Sequence, residues 1–337
     1  MTADTNRQIV LARRPVGAPQ ETDFRLVEGP VPTPADGELL VRTIWLSLDP
    51  YMRLRMGTDL RYYPPIPLGE AIVGGAVSRV VESRHPGFAP GDIVDDYTGW
   101  QDYAIARGAD ARKVDPALGP LSTAVGVLGM PGLTAYLGLV KVGRPAPGDT
   151  VVISAAAGAV GAVAGQVAKI AGCRVVGIAG GAEKLRYLTQ ELGFDAVIDR
   201  HEGDLPAALA SACPDGIDVY FENVGGPIGD AIYPLLANGA RVVICGGISH
   251  YNATEPPRVA SHLAPILFTE TEVKGFNIFS YGAHYEHARR RLARWLADGR
   301  IAFREDVVDG LENAPVAFQR LFDGRNFGKL LVKVSAE

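Results

Sequence analysis

The chain has 337 residues, which is more than one ordinary domain, so two domains are expected. Its apolar fraction of 47%, charged fraction of 21% and formal net charge of −5 are typical of a soluble globular protein and give no sign of a nucleic-acid or membrane partner. No apolar run reaches the roughly 20 residues of a membrane-spanning helix, and the N-terminus lacks the apolar centre of a secretion signal.

Proline is concentrated early in the chain, where 16 of the 24 prolines precede residue 150. This predicts a turn-rich β segment followed by a more regular α/β segment. The predicted early strands are Gln8–Arg13, Phe24–Glu28, Glu38–Trp45 and Glu70–Glu82, the last kinked at Gly74–Gly75. Residues 130–140 have the spacing of a short helix, which we expect to connect the two domains.

From Val151 onward, strand-like and helix-like segments alternate, which predicts a doubly wound parallel sheet. The predicted strands are Val151–Ser154, Arg174–Ala179, Ala196–Asp199, Gly216–Glu222 and Ala240–Gly246. The predicted helices are Val160–Ala171, Ala182–Leu192, Leu205–Cys213, Gly226–Leu236, Leu263–Thr269 and a strongly amphipathic Ala283–Ala297. Residues 301–335 return to a strand-like pattern, so we expect the first and last segments to build one domain together.

The segment Val151–Gly161 combines a buried-strand pattern, a break at small residues and the start of a helix. This layout is typical of a dinucleotide-binding βαβ unit, in which glycines allow a sharp turn and let a pyrophosphate approach the main chain. The N–H groups at the start of the helix then point at the phosphates. Ala156 replaces the first glycine of the usual G-x-G-x-x-G pattern, and a simple tight turn is the alternative interpretation.

The residues after the second predicted strand bear on the choice of cofactor. They lack the Asp or Glu that binds the ribose 2′-hydroxyl in NAD enzymes. Lys184 follows this strand and Arg200 follows the third, and both cations suit a 2′-phosphate. The sequence therefore favours NADPH over NADH, with a solvated helix residue as the alternative for Lys184.

Metal and covalent chemistry are not indicated. Cys173, Cys213 and Cys245 are far apart and odd in number, which argues against a disulfide framework and favours a cytoplasmic location. The sequence has no zinc-ligand spacing and no Gly-x-Ser-x-Gly elbow. His284 and His287 share a helix face without a third ligand, so we interpret them as surface residues, and the arginines after them as a solvated face.

Two fragments follow predicted strands at the edge where ligands bind in open α/β sheets: Phe221–Gly226 and Cys245–Asn252. Tyr251 in the second fragment is able to donate a hydrogen bond. Asn223 in the first suits either a cofactor contact or a turn cap.

Several segments occur in an order that resembles one known family. They are Asp49–Arg53, Met130–Tyr136, Ala155–Gly161, Gly193–Asp195, Glu222–Gly226, Cys245–Ser249 with Tyr251–Asn252, and Asn326–Lys329. Over nearly its whole length the chain resembles the zinc-independent medium-chain dehydrogenase/reductases of the alkenal/one oxidoreductase, or prostaglandin reductase, type.

The resemblance implies an α/β fold in which residues 129–300 form a Rossmann doubly wound parallel sheet that binds NADPH. Residues 1–128 and 301–337 would form a GroES-like β-rich catalytic domain. The implied reaction is NADPH-dependent reduction of the carbon–carbon double bond of α,β-unsaturated ketones or aldehydes, and the implied assembly is a homodimer.

The resemblance also implies roles for individual residues. Those that line the pyrophosphate are Ala159, Val160, Gly161 and Ala162, and the residue that meets the 2′-phosphate is Lys184. Those at or beside the cofactor are Asn223, Cys245, Tyr251, Phe276 and Asn326. Relatives often have Tyr where this chain has Arg200, and a cation at that position suits a phosphate.

Hydride addition to the β-carbon of an enone develops negative charge on the carbonyl oxygen, which a positioned hydroxyl stabilises. Tyr251 is the predicted catalytic donor. Tyr51 is predicted to line the substrate pocket, with packing at the domain interface as the alternative. The nearest alternative function is an NADPH quinone reductase on the same fold, since quinones are also enones electronically. A zinc alcohol dehydrogenase and a nucleotide-binding scaffold without turnover are the further alternatives.

Overall fold

The computed structural model describes residues 5–58, 64–256 and 260–337. The chain forms two compact units. The first consists of Met1–Gly126, Glu305–Asn326 and Leu330–Glu337, and the second of Val127–Arg304 with Phe327–Lys329. The expected catalytic segment 301–337 is thus split, because the short stretch Phe327–Lys329 groups with the second unit.

The strands are β1 Thr5–Leu11, β2 Phe24–Pro30, β3 Glu38–Ser47, β4 Ala76–Ser83, β5 Ile93–Asp96, β6 Tyr103–Arg107, β7 Arg112–Lys113, β8 Thr150–Ile153, β9 Arg174–Ala179, β10 Ala196–Asp199, β11 Ile217–Glu222, β12 Leu236–Ile244, β13 Glu272–Gly275, β14 Glu305–Asp309 and β15 Lys329–Lys333. The α-helices are α1 Met52–Arg55, α2 Met130–Leu137, α3 Gly161–Ile170, α4 Ala182–Arg186, α5 Leu205–Ala212, α6 Gly226–Ile232, α7 Leu263–Thr269, α8 Tyr285–Ala297 and α9 Ala314–Asp323. No helix within the described residues is both long and apolar enough to cross a bilayer.

The first unit is rich in antiparallel strands. β1 pairs with β2, and a larger sheet has the order β14-β15-β3-β4-β5-β7, with β6 paired to β3. Its core is aromatic: the ring of Trp100 lies 5.6 Å from those of Phe24 and Phe318, and all three side chains are buried.

Two predictions for the first unit were wrong. The strand predicted over Glu70–Glu82 begins only at Ala76, because the backbone of Ile72 hydrogen-bonds Ile9 and Trp100 before the chain turns at Gly74–Gly75. The strand-like region 301–335 contains a helix, α9, whose buried Ala314, Ala317 and Phe318 recur at helical spacing.

The second unit contains a six-stranded sheet of order β10-β9-β8-β11-β12-β13, in which neighbouring strands are parallel. Val151 packs in one apolar cluster with residues of α2, α3 and α8, and Val152 packs in another with residues of α5 and α6. Successive strand residues face opposite sides, so helices cover both faces of the sheet. This confirms the predicted doubly wound sheet, whose strand order reverses between β8 and β11, the point where ligands bind in such folds.

Candidate active site

The loop between β8 and α3 is shaped by glycine. A Cβ atom at Gly161 would lie 2.4 Å from the carbonyl oxygen of Ala155, so the first turn of α3 packs against the loop only without a side chain there. The N–H groups of Ala159, Val160 and Gly161 have no hydrogen-bond partner among the described residues. They are therefore available to an anion at the start of this ten-residue helix, into which Ala162 continues buried.

A short segment, Phe327–Lys329, which we call the strap, is hydrogen-bonded to this loop. The N–H of Gly328 donates to the carbonyl oxygen of Ala157 at 3.1 Å, and the N–H of Lys329 donates to that of Arg304 at 2.8 Å. The ring of Phe327 lies 3.8 Å beneath the guanidinium of Arg304. The Asn326–Lys329 motif was found in the sequence, but the sequence did not show that the N–H of Gly328 binds the loop after β8.

The ends of β9 and β10 are joined by one carboxylate. Asp199 accepts hydrogen bonds from the N–H groups of Gly181, at 2.9 Å, and His201, at 3.0 Å. Arg200 and His201 are thereby fixed at the end of β10, beside the turn that leads into α4. Lys184 lies on α4 and is half-buried, whereas Arg200 is exposed.

The end of β11 is organised by the buried carboxylate of Glu222. It accepts hydrogen bonds from the N–H groups of Val224 and Gly225, both at 2.8 Å, and from the hydroxyl of Ser154 at 3.0 Å. Asn223, between these residues, donates its side-chain amide to the carbonyl oxygen of Ser154 at 2.7 Å. The amide of Asn223 therefore fixes the turn against β8, and its predicted contact with a cofactor stays a prediction.

Tyr251 lies in the loop after β12, at the same edge of the sheet. Its hydroxyl oxygen accepts a hydrogen bond from the N–H of Gly247 at 3.3 Å. Burial raises the pKa of Tyr251, so the hydroxyl keeps its proton at neutral pH. Because the loop uses the oxygen as an acceptor, the O–H remains able to donate to a ligand.

Cys245 and Phe276 flank this loop. Burial, and next the charge of Glu222, raises the pKa of the Cys245 thiol to about 12, which leaves it unreactive as a nucleophile at neutral pH. Phe276 is buried beside the end of β12, where its N–H donates to the carbonyl oxygen of Ile244 at 2.9 Å. Its ring lies 4.9 Å from that of Tyr281.

The remaining two predicted residues belong to the first unit. Asn326 follows α9, and its N–H donates to the carbonyl oxygen of Arg320 at 3.3 Å. The hydroxyl of Tyr51 is hydrogen-bonded to that of Tyr97. Arg55 also donates to the Tyr97 hydroxyl, at 3.4 Å.

This cluster of Tyr51, Tyr97 and Arg55 was only partly visible in the sequence. Burial raises the pKa of Tyr51 well above its ordinary value, so its hydroxyl is neutral. Tyr97 was missed because no local pattern links it to Tyr51, 46 positions away, and Arg55 was missed because it joins the cluster through Tyr97.

A doubly wound parallel sheet with free donors at the start of its first helix is the architecture of dinucleotide-dependent oxidoreductases. Two family models match the chain: the N-terminal domain of oxidoreductase over residues 7–114, and zinc-binding dehydrogenase over residues 159–297.

Three similar proteins cover almost the whole chain. The NADPH-dependent curcumin reductase of Escherichia coli strain K12 is 49% identical over 98% of each chain. The NADP⁺-dependent 2-alkenal reductase of Nicotiana tabacum is 40% identical over 99% of this chain and 98% of its own. The crystal structure of CurA from Vibrio vulnificus in complex with NADPH is 48% identical, with a TM-score of 0.94 over 98% of this chain and 100% of that one.

The chain belongs to the zinc-independent medium-chain dehydrogenase/reductases of the alkenal/one oxidoreductase, or prostaglandin reductase, type. One of the matching family models is described as zinc-binding. Among the residues that the structure describes, no group of three or more His, Cys, Asp or Glu side chains is placed to hold a metal ion.

Proposed function

We propose that this chain uses NADPH to reduce the carbon–carbon double bond of α,β-unsaturated ketones and aldehydes. The observation that carries this proposal is the 40–49% identity, over nearly the full length, to a curcumin reductase and a 2-alkenal reductase that use this cofactor. The site geometry supports it, because the second unit offers a place for a dinucleotide and a neutral hydroxyl donor at the same edge of the sheet.

The loop after β8 fits the pyrophosphate of NADPH. Gly161 lets the first turn of α3 pack closely against the loop, and the free N–H groups of Ala159, Val160 and Gly161 supply hydrogen bonds to phosphate oxygens. Lys184 and Arg200 supply positive charge near the end of β9, where residues 180–182 contain no acid.

When bound, NADPH would supply hydride from its nicotinamide C4 to the β-carbon of the substrate. The chain's task is to stabilise the negative charge that develops on the carbonyl oxygen. Tyr251 does this by donating its O–H, because the raised pKa keeps the proton on the hydroxyl. The proposed roles of Asn223, Cys245, Phe276 and Asn326 are to line the cofactor, and that of Tyr51 is to contact the substrate.

NADPH binding is assigned to residues 129–300, and the catalytic domain to residues 1–128 and 301–337. This assignment is supported by the parallel sheet, which lies wholly within Val127–Arg304. We place the protein in the cytoplasm, which the three free cysteines support.

The reaction is tested with the purified chain, NADPH, a simple aliphatic enone and a simple quinone. We expect NADPH oxidation with the enone, and NMR of the product should show a saturated ketone. Oxidation with the quinone alone would favour the quinone reductase alternative. Oxidation with neither, despite NADPH binding, would favour a scaffold without turnover.

Replacing Lys184 with alanine should raise the KM for NADPH about tenfold and leave that for NADH almost unchanged, because a charged interaction with the 2′-phosphate contributes about 1.5 kcal/mol. The measurement is initial rate against cofactor concentration for both cofactors. Lys141→Ala, at an exposed lysine of the same unit, is the control. Equal effects on the two cofactors would remove Lys184 from the 2′-phosphate site.

Replacing Tyr251 with phenylalanine should lower kcat about 10- to 100-fold, as expected for loss of one donor to a developing oxyanion. The rate should be measured with NADPH deuterated at C4, so that an isotope effect shows hydride transfer to be rate-limiting. Tyr187→Phe is the control, since the Tyr187 hydroxyl is buried without a hydrogen-bond partner in the described structure. An unchanged kcat under these conditions would exclude Tyr251 as the donor.

A homodimer is supported by one exposed apolar surface, formed by α7 and β13. Leu263, Leu267 and Phe268 are 72–78% exposed. β13 is the last strand of the sheet, and within the described residues its outer edge pairs with no other strand. Such an edge, beside exposed apolar side chains, favours pairing with a second copy of the chain.

Light scattering should give twice the 35.8 kDa chain mass for the wild type and a single chain mass for Leu267→Asp. Leu118→Asp, at an exposed leucine of the first unit, should stay dimeric. A monomeric wild type would contradict the homodimer. A dimeric Leu267→Asp variant would place the interface elsewhere.

A further inference from the structure

Two side chains that follow β10 lie beside the end of β9, where NAD enzymes carry an acid. Gly180 follows the last residue of this strand. A Cβ atom built at Gly180 would lie 2.7 Å from Nε2 of His201 and 2.9 Å from Nε of Arg200. An acidic side chain at this position would have to displace both of these side chains, so the space beside Gly180 is occupied by nitrogen donors.

The backbone holds His201 and Arg200 in this place. The N–H of Arg200 donates to the carbonyl oxygen of Ala179 at 2.8 Å, and that of His201 donates to the carboxylate of Asp199 at 3.0 Å. The other carboxylate oxygen of Asp199 accepts from the N–H of Gly181 at 2.9 Å. Each oxygen of this acid thus receives a backbone hydrogen bond, which reduces its repulsion of a nearby anion.

We propose that His201 is a specificity-determining residue that, together with Arg200, binds the 2′-phosphate of NADPH. This rests on the proposed function, which makes NADPH the cofactor. A phosphate monoester carries a charge of about −1.5 to −2 at neutral pH and accepts several hydrogen bonds. Arg200 supplies a permanent charge, and His201 donates from Nε2 when that nitrogen carries the proton.

The chemistry explains why the two residues act better as a pair than singly. The guanidinium of Arg200 is exposed, and one exposed cation gains little from a single ion pair in water. A second donor beside it, on the same turn after β10, lets the phosphate make two directed hydrogen bonds. NADH offers only a 2′-hydroxyl at this point, so His201 discriminates between the two cofactors.

Isothermal titration calorimetry tests this proposal without turnover. The probes are adenosine 2′,5′-bisphosphate, which carries the 2′-phosphate, and adenosine 5′-monophosphate, which lacks it. We expect His201→Ala to raise the Kd of the bisphosphate about three- to tenfold, the range of a lost hydrogen bond to a charged group, and to leave that of the monophosphate within about twofold. The retained binding of the monophosphate also reports an intact fold.

Two further variants sharpen the result. His201→Gln keeps an N–H donor and should recover part of the lost bisphosphate affinity. His287→Ala, on the exposed face of α8, should change neither affinity.

An equal loss of affinity for both probes, or no loss for either, would overturn the role of His201. The reductase proposal fails differently, through absent enone reduction by a chain that still prefers the bisphosphate.

Discussion

The carboxylate of Glu222 is the interaction on which the candidate site of the second unit depends. A carboxyl group with 4% of its residue surface exposed is costly to bury unless it is hydrogen-bonded. Here one oxygen accepts hydrogen bonds from the Ser154 hydroxyl and from two backbone N–H groups. Gly229 leaves room for the other oxygen, since a Cβ atom there would lie 2.8 Å from it.

These bonds join elements that are distant in the sequence. Ser154 belongs to the loop after β8, Glu222 ends β11, and Gly225 precedes α6. The backbone oxygen of Glu222 also accepts the N–H groups of Cys245 and Gly246, which begin the Tyr251 loop. The dinucleotide loop and the hydroxyl donor are therefore built on one polar network, whose donors are satisfied only when the strands are in register.

The sequence predicted the strands and helices whose bounds are determined by local patterns of apolar and turn residues. The bounds of β9 and β10 were correct because each apolar run ends at glycine or at a polar turn. The α9 helix was missed because residues 301–335 were interpreted through their β-branched ends, while the helical spacing of Ala314, Ala317 and Phe318 lay between them. Periodicity over this shorter window would have found it.

Other features had no local signal. The strap glycine Gly328 matters because a Cβ atom there would lie 2.1 Å from the carbonyl oxygen of Arg304, which is visible only in three dimensions. Tyr97 and His201 became candidates through contacts with Tyr51 and Gly180, at separations that no motif encodes. Sequence patterns thus located the glycine loop between β8 and α3, whereas the positions of Tyr97 and His201 depend on tertiary structure.

The protonation of Tyr251 limits the chemistry that it can perform. Burial disfavours the phenolate, and although the hydrogen bond from Gly247 opposes this effect, the pKa remains raised. A hydroxyl in this state does not act as a general base at neutral pH. It is able to act as a donor, and the hydrogen bond that a phenol donates becomes stronger as negative charge develops on the acceptor oxygen. The same burial that keeps the proton on Tyr251 is therefore consistent with the donor role proposed for this residue.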